Sequence, residues 1–169
     1  HMAKVINSIY KIKLSELLRR SSFWVATNLF FLCLFTSTSF ADFIGHGGMI
    51  RDIEISDDSK YVLTGSFDYT AILWNFEDQS IKHRLDAHNG PVTSVKFITN
   101  DRALTTSDDN TAIYWDLTYG RPIFTLAGHS HKVMASSVSA DKTNVVTGGW
   151  DSLVLFWDLK RAKLVKSFK

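Results

Sequence analysis

Three stretches of this 169-residue chain are copies of one another, and each closes on Trp followed by Asn or Asp. They are Gly65–Asn75 (GSFDYTAILWN), Thr106–Asp116 (TSDDNTAIYWD) and Gly148–Asp158 (GGWDSLVLFWD). Their tryptophans, Trp74, Trp115 and Trp157, lie 41 and 42 residues apart. Three histidines, His46, His88 and His129, keep step at 42 and 41. A fixed period near 40 residues means similar units stacked on one another, so it decides the architecture before any local reading does. It also divides the residues by role. Those that recur in register build the frame, and those that differ between copies carry what is specific to this chain.

Each unit reads as four short strands. The first unit places them at 49–55, 61–65, 71–74 and 80–85, with turns at Ser56-Asp57-Asp58-Ser59-Lys60 and Ser66-Phe67-Asp68-Tyr69. The second places them at 92–97, 103–106, 112–115 and 122–126, and the third at 133–138, 144–147, 153–157 and 164–168. Period-two alternation, turn-rich gaps and a strand about every ten residues argue an all-β fold.

The recurring polar positions carry a resemblance. Asp68, Asp109 and Asp151 each stand six residues before the Trp, and Thr64, Thr105 and Thr147 each stand four residues before that Asp. Gly45-His46 and Gly128-His129 repeat as a pair, with Ala87-His88 in the second copy. This set resembles the WD-repeat family of β-propellers over residues 45–169. The resemblance implies three four-stranded antiparallel blades, at about 45–86, 87–127 and 128–169. It also implies that His, Thr, Asp and Trp form a buried hydrogen-bond chain within each blade. The physics agrees: a buried indole, hydroxyl, imidazole and carboxylate each need a partner, and a satisfied network stiffens a small sheet. Asn75, in place of the Asp after Trp, leaves those four positions untouched.

The leader has a different character. Residues 1–41 hold Lys4, Lys11, Lys13, Arg19 and Arg20 against Glu16, a net of +4, whereas residues 42–169 carry −2. An apolar run from Phe23 to Phe35 follows the basic stretch, and Ser39 and Ala41 stand at the −3 and −1 places of a cleavage site before Asp42. That pattern is a secretory signal helix, or an uncleaved anchor; its apolar run is short against the roughly 20 residues of a membrane span. The expected location is a bacterial periplasm. Cys33, the single cysteine, belongs to this segment, so residues 42–169 have no thiol for a disulfide, a cluster or covalent haem. The slightly acidic repeat region also disfavours nucleic-acid binding.

Hydroxyl, imidazole and carboxylate together invite a catalytic reading. Yet the set occurs three times, and a chain needs a strut in every blade but rarely three active sites. No enzyme, cofactor or metal is expected: His129-x-His131 spends one histidine on the strut, and no loop supplies a calcium shell. Specificity should lie where the copies differ. The residue before the turn aspartate is Phe67, Asp108 and Trp150, which the resemblance places at the rim of one face. Phe67, Asp108 and Trp150, with Arg51, Tyr69 and Arg121 behind them, are the candidate contacts for a protein partner. Three blades do not make a ring of the usual roughly four to eight. The expectation is a piece of a longer propeller, or copies that associate through open blade edges. The functional expectation is an exported scaffold. The alternative is a propeller serving a redox or catalytic domain beyond Lys169.

Overall fold

The computed structural model describes residues 45–169; the expected signal helix and its cleavage site lie outside them. Twelve strands fill the described residues. The first blade contains β1 (Ile50–Ile55), β2 (Tyr61–Ser66), β3 (Ala71–Asn75) and β4 (Ile81–Leu85). The second contains β5 (Val92–Thr99), β6 (Arg102–Ser107), β7 (Thr111–Asp116) and β8 (Arg121–Ala127). The third contains β9 (Val133–Val138), β10 (Asn144–Gly149), β11 (Val154–Asp158) and β12 (Lys163–Phe168). Each set is an antiparallel meander with its strands in sequence order, and the three sheets do not close into a ring. The fold is all-β, with blades of the propeller type.

The blades stack because each blade is apolar on both faces. Leu63, Ala71, Leu73 and Leu85 of blade 1 pack on Val92, Val95, Phe97, Ile113 and Trp115 of blade 2. The opposite face of blade 2, with Ile98, Leu104, Ala112 and Leu126, packs on Val145, Leu155 and Trp157 of blade 3. Gly65 allows the first contact, since a Cβ there would stand 2.6 Å from Val92 Cγ1. Polar groups knit the inner strands together. Asp52 accepts from the Val95 amide at 2.9 Å, and Glu54 accepts from the Phe97 amide. These carboxylates cover amides on the inner edge of β5, which no strand of the described residues pairs.

Irregularities recur at fixed places. The inner strands each carry a bulge near their start, at Arg51, Thr93 and Met134. The residue after each turn aspartate, Tyr69, Asn110 and Ser152, takes a positive φ of 74°, 72° and 64°. Asparagine suits that conformation and tyrosine does not, so the first copy holds a strained turn. His83 reaches from β4 to the Thr118 carbonyl at 3.1 Å and lies against Gly120, whose φ is +64°. Any side chain at Gly120 would collide with that imidazole.

Candidate functional site

The three polar sets expected from the sequence are assembled within their blades. In blade 1 the Trp74 indole N–H donates to Thr64 Oγ1 at 2.8 Å. Thr64 Oγ1 lies 2.7 Å from His46 Nε2, and His46 Nδ1 lies 2.8 Å from Asp68. Blade 2 repeats this with Trp115, Thr105, His88 and Asp109 at 2.8 Å for every link. Blade 3 repeats it with Trp157, Thr147, His129 and Asp151 at 2.9, 2.9 and 2.8 Å. With the imidazole proton on Nδ1, every donor points one way: indole to hydroxyl, hydroxyl to imidazole, imidazole to carboxylate. All four groups are then satisfied in each blade.

The carboxylate does a second job. Asp68 accepts from the Gly47 amide, the Thr70 amide and the Thr70 hydroxyl at 2.8, 3.0 and 2.7 Å. Asp109 accepts likewise from Asn89 and Thr111. Asp151 accepts from the Ser130 and Leu153 amides only, because Leu153 stands where the other copies have threonine. Thr70 and Thr111 were not anticipated, although a threonine two residues after the strut aspartate is visible in both copies. Burial raises the Asp68 pKa, but the Thr70, His46 and Gly47 hydrogen bonds outweigh it and bring it down to about 2. Asp109 and Asp151 are lowered by the same balance of burial and hydrogen bonds. A histidine locked between a threonine and an aspartate, with its side chain no more than 4% exposed, has no free nitrogen to serve a substrate.

The residues that differ between copies meet at the same end of the blades. Trp150 is 64% exposed and Phe67 45%, both beside solvent. Arg51, aimed by its bulge, lies over the Phe67 ring at 5.0 Å, and Lys132 lies over the Trp150 ring at 5.3 Å. Asp108 joins the two cations. Lys132 Nζ donates to its Oδ2 at 2.7 Å, while Oδ1 has no hydrogen bond and faces Arg51 at 3.7 Å. The row Phe67, Arg51, Asp108, Lys132, Trp150 thus crosses all three blades.

Asp108 corrects one expectation. Its side chain is only 10% exposed, so it aligns the two cations and does not present itself to a partner. Tyr69 is exposed beside this row. Arg121 is a second correction: it lies over Tyr119 at 4.8 Å, at the start of β8 and the opposite end of its blade. Met49 and Lys132 were missed. Met49, Pro91 and Lys132 each stand three residues after the strut histidine, and the carbonyl of each accepts the amide of Phe67, Asp108 or Trp150. A comparison of the copies at that offset would have found them. Among the described residues no group of three or more His, Cys, Asp or Glu is placed to hold a metal.

Comparison with known proteins decides the family. The family described as WD domain, G-beta repeat matches three times, at residues 37–75, 79–116 and 120–158. The chain belongs to the WD40 repeat family. Each later match begins before the outer strand of one blade and ends with the third strand of the next, so repeat and blade are out of phase by one strand. The chain is 30% identical over 125 residues to a guanine nucleotide-binding protein subunit beta of Arabidopsis thaliana, covering 68% of this chain and 33% of the relative. It is 33% identical over 118 residues to Protein tipD of Dictyostelium discoideum, covering 68% and 19%. A ribosome biogenesis protein WDR12 homolog of Drosophila mojavensis matches at 29%, covering 69% and 29%. The crystal structure of the WD40 β-propeller domain of Doa1 superposes with a TM-score of 0.67 at 27% identity, covering 75% of this chain and 42% of that one. The chain thus spans a third or less of the length of these curated relatives.

Two outcomes follow from the strut geometry. Thr105→Val keeps the shape of a fully buried side chain but strands the Trp115 N–H and His88 Nε2. Urea denaturation should show a loss of about 2–4 kcal/mol, whereas a loss below about 1 kcal/mol would deny the hydroxyl its role. The Asp68 pKa is lower in the folded chain than its ordinary 3.8, so its stabilisation is complete above pH 3.8 and is lost as pH falls through about 2. Circular dichroism against pH should therefore place acid unfolding between about pH 4 and 2, with little change from about pH 7 to 5.

Proposed function

We propose that the chain is a non-enzymatic WD40 scaffold that holds a protein partner on the row running from Phe67 to Trp150. The observation that carries this is the pair of exposed aromatics, each backed by a cation, with both cations facing one largely covered carboxylate. Aromatic rings and arginine dominate binding hot spots, because they bury much area at little entropic cost. A free lysine or arginine would lose rotamer freedom on binding, but Asp108 has already restrained Arg51 and Lys132. Met49 and Tyr69 add exposed apolar surface to the same end. The relatives include a protein named as a subunit, which favours assembly as the common activity. Threefold repetition of the His–Asp pair favours a frame over an active site.

The reading extends to location. The basic stretch from Lys4 to Arg20, the apolar run to Phe35 and the small residues before Asp42 support export, to the periplasm of a bacterial envelope. Mass spectrometry of the chain recovered from envelope fractions of its native cells should find an N-terminus at Asp42. Recovery from the cytosol with residues 1–41 intact would contradict export.

For the binding surface, Trp150→Ala and Phe67→Ala should each weaken capture of the native partner at least roughly tenfold while circular dichroism stays unchanged. Both side chains face solvent, so folding should tolerate their loss. Full binding by the Trp150→Ala, Phe67→Ala double variant would overturn the assignment.

A further inference from the structure

The repeat supplies its own template for what belongs on the two end faces. Where blade 2 meets blade 1, it contributes Val92, Val95, Phe97 and Leu117, all between 0 and 6% exposed. The same register positions in blade 1 are Ile50, Ile53, Ile55 and Phe76, at 45, 60, 53 and 49%. Every one is a large apolar side chain, and every one faces solvent.

The other half of the same contact stands open on blade 3. In blade 1 the receiving side chains Leu63, Ala71, Leu73 and Leu85 are buried under blade 2. Their counterparts on blade 3 are Val146, Val154, Phe156 and Phe168, with Val154 at 42% and Phe168 at 43% exposure. The glycines sharpen the comparison. A Cβ on Gly65 would touch Val92 and Val95 at 2.6 and 2.8 Å, whereas a Cβ on the equivalent Gly148 meets nothing within 4 Å. Blade 3 therefore leaves open the glycine position that β-branched side chains cover in blade 1, and blade 1 exposes β-branched Ile50 and Ile53 at the register positions that would cover it.

We propose that blade 3 of one chain receives blade 1 of a second copy, head to tail. The contact continues the blade 1–blade 2 interface across the chain boundary. It uses an apolar, β-branched inner strand against an apolar receiving sheet with an uncovered glycine. A heterologous contact either closes or propagates. Two copies of the three described blades make six, a number within the roughly four to eight of closed propellers, which favours two such contacts in a twofold ring over an open filament.

The test uses the full chain. Light scattering at micromolar concentration should give twice 19.1 kDa, and Ile53→Glu should return the mass to 19.1 kDa with an unchanged circular dichroism spectrum. Ile53 is exposed within its own chain, so the variant has no reason to unfold. Direction is read by cysteines in a Cys33→Ser background. Blades 1 and 2 give the spacing to expect, since a Cβ on Gly65 stands 3.4 Å from Val92 Cβ, close to disulfide geometry. Ile50→Cys mixed with Gly148→Cys should therefore cross-link, and neither variant should do so alone. Trp150→Ala should keep the dimer, which separates this contact from the partner surface. A monomeric wild-type chain, an assembly indifferent to Ile53→Glu, or a cross-link formed by either variant alone would overturn the proposal.

Discussion

One hydroxyl in each blade holds the rest in place. Thr64, Thr105 and Thr147 sit on the second strand of their blades, fully buried or nearly so, and each hydroxyl joins a buried indole to an imidazole. The indole N–H comes from the third strand and the imidazole from the loop that enters the blade. The imidazole in turn reaches the turn between the second and third strands through the aspartate. Two strands, a loop and a turn are thereby fixed to one oxygen atom. In the low dielectric of the sheet such a chain is strong when complete and costly when broken, which is why it specifies the fold as well as stabilising it.

The frame has consequences for the surface it carries. The loop and turn fixed by the histidine and the aspartate are the segments that bear Met49, Phe67, Lys132 and Trp150. Their amide-to-carbonyl pairing sets the exposed side chains on rigid backbone, and Asp108 then sets the spacing of the two cations. A surface arranged this way meets a partner with little left to order. Apolar stacking between blades does the remaining work. It is directional because every blade offers one kind of face forward and another kind backward.

The period, the strands and the four members of the strut were legible because they recur, and recurrence needs no knowledge of neighbours. What was not legible depends on which blade lies beside which. Asp108 reads as a rim carboxylate like any other; only the folded chain brings Arg51 from blade 1 and Lys132 from blade 3 to it. Arg121 looks equivalent to Arg51 in composition, but the meander carries it to the far end of its blade. Tyr69 fits a turn by position and strains it by chemistry, as its φ of 74° shows against Asn110 in the second copy. Lys132 escaped notice because its counterparts, Met49 and Pro91, share neither charge nor shape with it.

Hydrogen exchange at the indole nitrogens tests the strut most directly. If the threonine hydroxyls close a buried chain in each blade, the indole N–H protons of Trp74, Trp115 and Trp157 should exchange with solvent deuterium only through global unfolding. The exposed Trp150 should exchange within the dead time. Exchange of the three repeat indoles at a rate near that of Trp150 would mean that the hydrogen-bond chain is not what holds the blades.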